Sequence, residues 1–313
     1  MASNDASAFR LGLVGAGRMG QTHLRALESS KDVAVVAVAE PVDGLRDNAI
    51  TNFGLKGYAS LEDLLEANGI DGVLIVTPSD SHVEVIRTVA SANLPILCEK
   101  PCGINAADTA MAQRYVSDAG VALQIAYWRR FVPELQAIRT RVVEGEFGDV
   151  LSISCLQWDG APPSAAFRAR SGGIFVDMGV HEFDQARWLT GSNFTNLAAS
   201  ASTTITDPDV SDDPDSVQVL ADLESGATAF VSLGRHYAGG DMASVEVFGT
   251  GDHVLEPFLR PEDGEATQLE ALRRQASAFA NYARGGVCEG ATVNDAIAAL
   301  EAATSATNVS KGS

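Results

Sequence analysis

The segment Phe9 to Gly20 constrains the fold of this chain more than any other. An apolar run (Phe9, Leu11, Leu13, Val14) ends in Gly15-Ala16-Gly17-Arg18-Met19-Gly20, and helical spacing follows from Met19 to Leu27. A second apolar run, Val33 to Ala39, ends at Glu40, 20 residues past Gly20. A strand, a glycine turn, a helix and a strand closed by an acid form the dinucleotide-binding fingerprint. Gly15 permits the tight turn. Gly17 lets the backbone approach a pyrophosphate, and Gly20 allows close helix–strand packing. Glu40 is placed to accept hydrogen bonds from the adenosine ribose and to repel a 2′-phosphate, which favours NAD over NADP.

The alternation continues. Asp63 to Ala67 suits a short helix, Gly72 to Val76 a strand, Ser81 to Ala92 a helix and Pro95 to Cys98 a strand. Asn105 to Ala119 is helical, and Val121 to Ile125 closes the series. Near-continuously apolar strands alternating with helices predict a doubly wound parallel sheet covered on both faces. The pattern changes near residue 125. A helix over Pro133 to Glu144 and a strand over Val150 to Gln157 precede alternating runs at Asn196 to Ile205, Ser216 to Leu223, Thr228 to Leu233 and Ser244 to Phe248. Glu224-Ser225-Gly226 reads as a hairpin turn. The last two helices fall at Gln268 to Ala283 and Asn294 to Ala303. The expected architecture is α/β: an N-terminal Rossmann domain over 1–125, then an α+β domain with a large, mostly antiparallel open sheet over 126–313.

Charge narrows the partners. A net charge of −19 over 313 residues speaks against nucleic acid and anionic membranes. It leaves room for a phosphate-bearing cofactor, because a helix N-terminus binds phosphate through local backbone N–H groups. No apolar run approaches the roughly 20 residues of a membrane span. MASNDASAF lacks the charged and apolar regions of a signal peptide and reads as a disordered lead-in, so a cytoplasmic location is expected. Cys98, Cys102, Cys155 and Cys288 fit neither a zinc pattern nor a CxxC pair, and are read as buried thiols. No metal site is expected; the acidic stretch Asp207 to Asp215 reads as a solvated turn.

Two further segments bear on chemistry. Thr77-Pro78 and Lys100-Pro101 follow predicted parallel strands, at the sheet edge where open α/β folds bind ligands. In the second half, SGGIFVDMGVHEFDQARWLT (residues 171–190) sets Asp177, His181 and Asp184 at i, i+4 and i+7, one face of a helix. A neutral histidine one turn from a carboxylate is suited to moving a proton near pH 7. Asp184 reads as structural, pairing with Arg187 or a backbone group.

Taken in order, GxGxxG, Glu99-Lys100-Pro101 and Gly172-Gly173…Asp177…His181…Asp184 resemble the Gfo/Idh/MocA oxidoreductase family over nearly the whole chain. The segment around His181 is most similar to the myo-inositol 2-dehydrogenase branch, as is Tyr127-Trp128-Arg129-Arg130-Phe131. The resemblance implies an NAD-dependent dehydrogenase of a cyclitol or pyranose sugar. Lys100 would hydrogen-bond the reacting hydroxyl and stabilise alkoxide charge, His181 would be the base, and Asp177 would orient His181. It also implies a homotetramer or dimer built through the outer face of the second-domain sheet.

The candidate cofactor set is Gly15, Gly17, Arg18, Met19, Gly20, Glu40, Thr77, Pro78, His82, Glu99 and Lys100. The candidate substrate set is Lys100, Arg129, Trp158, Asp159, Asp177, His181 and Tyr237. The chain departs from the branch at Val132, where aspartate is usual, and at Trp158-Asp159, where a basic residue is common. It departs again at Tyr237-Ala238-Gly239-Gly240, where a tyrosine-glycine-tyrosine pattern is expected. These positions border the family's substrate pocket, so they bear on which polyol is used. Other readings are a dehydrogenase of another or modified sugar, a non-catalytic dinucleotide sensor, an oxidoreductase with permanently held NADP, and an aldehyde-forming or hydrolytic relative.

Overall fold

The structure is a computed structural model and describes residues 8–205 and 213–311. The chain divides into two compact units. The first comprises Met1–Gly103, Ala107–Ala126 and Leu269–Val293; the second comprises Ile104–Ala106, Tyr127–Gln268 and Asn294–Ser313. A single cut at residue 125 does not reproduce this partition. The segment Leu269–Val293 belongs to the first unit because its apolar face is spent there. Ala276, Phe279 and Ala280 join the core of that unit, and the Phe279 ring meets Phe9 edge-on with centroids 5.9 Å apart.

In the first unit the elements are β1 (Phe9–Val14), α1 (Arg18–Leu27), β2 (Val33–Ala39), α2 (Asp43–Phe53), β3 (Lys56–Tyr58), α3 (Leu61–Glu66), β4 (Gly72–Ile75), α4 (His82–Ser91), β5 (Ile96–Cys98), α5 (Ala106–Ala119) and β6 (Leu123–Ile125). The six strands pair in the order β3-β2-β1-β4-β5-β6, all parallel. This is the doubly wound order with its switch point between β1 and β4. The strands β4 and β5 are buried along their whole length, as their continuous apolar runs predict.

The second unit holds α6 (Pro133–Val143), β7 (Val150–Trp158), α7 (Ala165–Arg168), a π-helical turn (Phe175–Gly179) and α8 (Val180–Thr190). It continues with β8 (Phe194–Ser202), β9 (Ser216–Leu223), β10 (Thr228–Gly234), β11 (Met242–Gly249) and β12 (His253–Leu259). The helices α9 (Gly264–Ala283) and α10 (Val293–Lys311) end the chain, α9 passing into the first unit at Leu269. The sheet order is β12-β11-β7-β10-β9-β8. Only β7 and β10 run parallel; the other pairs are antiparallel. One face packs on α8 through residues such as Ile153, Cys155, Val231 and Leu233, all at most 1% exposed. Alternation along β9 and β10 turns Leu220 and Phe230, a registered pair, to the opposite face.

Candidate active site

The glycine turn has the geometry its sequence predicts. Gly15 sits at φ +98°, and a β-carbon there would meet the Val76 carbonyl oxygen at 2.7 Å. At Gly20 a β-carbon would lie 2.4 Å from the Gly15 oxygen, so only glycine lets α1 start this close to β1. A β-carbon on Gly17 would project into open space. That is the approach path a pyrophosphate needs, and no side chain caps the N-terminus of α1 behind it. Arg18 and Met19 occupy the first turn of α1, Arg18 exposed. Glu40 is buried. Its Oε2 accepts the Ala16 N–H at 2.8 Å and its Oε1 the Val42 N–H at 2.9 Å, which fixes the carboxylate beside the glycine turn. Arg46 is engaged with the Glu40 carbonyl oxygen at 2.8 Å and with Asp43. These features fit a dinucleotide: an open cradle, helix-end N–H groups and an oriented acid at the end of β2.

Two residues of the expected cofactor set are turned inward instead. His82 is 1% exposed, with Nδ1 2.8 Å from the Pro101 oxygen and Nε2 2.8 Å from the Thr77 oxygen. Burial pushes its imidazole below the usual range, outweighing the pull of the two carbonyls and Glu99. The ring bridges the loop after β4, where Thr77 and Pro78 lie, and the loop after β5. Glu99 is likewise consumed by its surroundings: Oε1 meets His23 Nε2 at 2.6 Å and Oε2 accepts the Lys100 N–H at 3.1 Å. Burial alone would raise its carboxyl; His23, then Lys100, hold it below the ordinary carboxylate range. His82 and Glu99 thus brace the Lys100 loop, whose Lys100–Pro101 peptide is cis.

In the second unit the expectation of one continuous helix face needs correction. Gly172 and Gly173 both have positive φ, +83° and +81°, and lead into a π-helical turn that contains Asp177. The α-helix proper begins at Val180 and carries His181. The wider turn brings Asp177 to Arg235, whose Nη1 is 3.3 Å from Asp177 Oδ2. His181 is buried, with the rings of Tyr127 and Trp128 edge-on to it at 6.0 Å and 6.3 Å.

Asp184 is engaged by Arg130, with Arg187 only an electrostatic neighbour. Arg130 Nε and Nη2 grip its two oxygens at 2.9 Å and 2.5 Å. Arg129, expected at substrate, is 4% exposed and spent on Glu182, Gln185 and Gln157. Trp158 pairs in register with Gly234, whose missing β-carbon makes room for the indole, and its Nε1 donates to Ser232 at 3.0 Å. Asp159 accepts from Gln157 at 2.8 Å, and its carbonyl accepts the N–H of exposed Tyr237 at 2.8 Å. The acidic stretch expected to be a solvated turn is buried at its described end: Asp213 is 7% and Asp215 8% exposed; positions 207–212 lie outside the described residues. Arg235 and Asp213 escaped sequence reading. The available signal was a lone arginine closing an alternating strand, which periodicity alone treats as its solvent end.

Residues 9–127 match the oxidoreductase family with the NAD-binding Rossmann fold, and residues 135–254 match the GFO/IDH/MocA C-terminal domain. The rhizopine catabolism protein MocA of Rhizobium meliloti is 50% identical over 96% of this chain and 95% of that protein. The inositol 2-dehydrogenase of Rhizobium meliloti strain 1021 is 32% identical over 95% of each. The crystal structure of a myo-inositol dehydrogenase from Corynebacterium glutamicum superposes with a TM-score of 0.88 at 25% identity, covering 97% of both chains. With an NAD-binding Rossmann unit followed by this second-unit sheet, the chain belongs to the GFO/IDH/MocA family of oxidoreductases.

Proposed function

We propose that this protein oxidises a secondary ring hydroxyl of a cyclitol or pyranose sugar. NAD, when bound at the glycine turn of the first unit, supplies the hydride acceptor. The chain's own residues handle the proton and the charge. His181 takes the hydroxyl proton, Asp177 holds the His181 ring in one tautomer, and the Lys100 ammonium stabilises the developing alkoxide. The observation that carries this reading is the second-unit arrangement. A buried histidine is fixed between two aromatic rings, one turn beyond a carboxylate that is itself held by a buried guanidinium. A fold that needed only a satisfied core would gain little from a buried ionic group there.

A second reading, a modified cyclitol or sugar as substrate, draws on Ala238-Gly239-Gly240. That segment departs from the tyrosine-glycine-tyrosine pattern expected of the branch, and the Tyr237 ring packs where a Gly239 β-carbon would stand, so this stretch is shaped differently. The MocA relative, named for rhizopine catabolism, agrees with a substrate other than plain inositol. We place the protein in the cytoplasm as a homo-oligomer joined through the outer face of the second-unit sheet; among the described residues no helix is long and apolar enough to cross a membrane.

The test is turnover of a panel of free and substituted cyclitols and pyranoses with NAD and NADP in parallel, read as formation of reduced nicotinamide. Turnover with NAD on one group is expected; binding of NAD with no turnover on any polyol would favour the sensor. Lys100→Ala and His181→Ala are each expected to lower kcat at least ~100-fold with NAD affinity retained.

A further inference from the structure

We infer that Arg235 is a positioning residue for the reaction, acting through Asp177; the inference rests on the roles of Asp177 and His181 proposed above. Arg235 follows directly on β10 and is fully buried, 0% exposed. Its guanidinium lies between two carboxylates, Nη1 3.3 Å from Asp177 Oδ2 and Nη2 3.1 Å from Asp213 Oδ2. Asp213 in turn accepts the Ile174 N–H through Oδ1 at 2.8 Å. A β-carbon on Gly173 would lie 3.5 Å from that same oxygen, so the carboxylate packs directly beside the glycine pair. The Arg235 backbone N–H donates to the Asp215 carbonyl at 2.9 Å, which anchors the arginine from a second direction.

One chain of contacts therefore joins the end of β10, the segment before β9, the glycine pair and the π-helical turn. Its terminus is Asp177, four residues before the proposed base. Desolvating a guanidinium is costly, and replacing a buried ion pair by apolar residues is often neutral or stabilising. Stability alone is thus a weak reason for an arginine here. Orientation is a better one, since a rigid planar fork fixes a carboxylate in a way a point charge does not. Arg168, near Asp213, and Asp159, near Asp177, are the other charged groups that face this set. With Oδ2 engaged by Arg235, the Asp177 carboxylate is restrained in orientation, which is the positioning its proposed role toward His181 requires.

The experiment is a double-mutant cycle on the full chain. It compares the unaltered protein, Arg235→Met, Arg235→Lys, Asp177→Asn and each arginine variant combined with Asp177→Asn. The readouts are kcat and KM for whichever cyclitol is turned over, NAD affinity, and the thermal midpoint. Arg235→Met is expected to lower kcat about 10-fold to 100-fold with KM and NAD affinity little changed. Arg235→Lys keeps the charge without the planar fork and should recover only part of that loss. In the Asp177→Asn background neither arginine variant should lower kcat further, because the residues act as one unit. Should Arg235→Met not fold, Arg235→Lys decides: a loss seen only when Asp177 is present supports the inference. Losses that multiply regardless of Asp177, or an unchanged kcat in a folded Arg235→Met protein, overturn it while leaving the proposed reaction standing. Absence of polyol turnover by the unaltered chain overturns the reaction and the inference together.

Discussion

Asp159 is a carboxylate that its surroundings work against. Burial first, then Asp241 and Asp177, push it above the usual carboxylate range, opposed by Gln157 and Arg235. A group whose pKa is raised on folding contributes stability that is fully present below its unfolded value, about 3.9, and is lost as pH rises through the folded value. At neutral pH Asp159→Asn should therefore raise the thermal midpoint, and the gain should vanish below about pH 3. Melting curves across that range check it; a lower midpoint at neutral pH would show that the ionised carboxylate is favoured. Residue roles were the least legible part of the sequence. The motif spacing picked out Asp177, His181 and Lys100, but spacing cannot tell an outward side chain from an inward one. Glu99 and His82 share the Lys100 loop yet are consumed by His23 and by backbone carbonyls. Arg129 and Arg130, adjacent in sequence, each found a different buried acid on α8.

At the scale of elements, what periodicity could see was found. The strands β1, β2, β4 and β5 are short apolar runs because both sheet faces are covered, and they stand where the runs stand. The helix α2 was invisible because only Ala49 of its 11 residues is buried, leaving no apolar stripe. The strand β12 was hidden by His253, Glu256 and Pro257, which fit an edge strand but break a strand pattern. The π-helical turn could not be foreseen, since a single i→i+5 turn of five residues is too short to set a sequence period of its own. The segment Trp128–Phe131 is clamped to α8 by the Arg130–Asp184 pair, with Asp295 of α10 3.2 Å from the same guanidinium. Removing one partner of such a buried pair typically costs about 3–5 kcal/mol. Asp184→Asn should destabilise the protein toward the low end of that range, because Asp295 keeps part of the compensation. Denaturant unfolding measures it; a change under ~1 kcal/mol would mean that the pair adds nothing to α8 packing.

For the whole molecule, the outer face of the second-unit sheet is the feature a single copy leaves unexplained. Leu220, Phe230, Phe248 and Leu255 are all exposed there, at 60%, 37%, 41% and 57%. The register places Phe230 opposite Leu220 and Ser154, and Phe248 opposite Ser152. Exposed apolar residues gathered on one sheet face mark a contact surface. Light scattering should therefore find an oligomer at micromolar concentration, and Phe230→Glu should shift it toward monomer. A monomeric unaltered protein would remove the face from the account. The central claim is hydride transfer from a ring carbon to NAD, and isotope transfer tests it most directly. A cyclitol carrying deuterium on its carbinol carbons would be incubated with the protein and NAD, and the recovered nicotinamide examined by mass spectrometry. The account predicts reduced cofactor carrying one deuterium, with the transfer slowed at least ~100-fold in His181→Ala. Recovery of unlabelled, oxidised NAD alone, from a protein shown to bind it, would contradict the account.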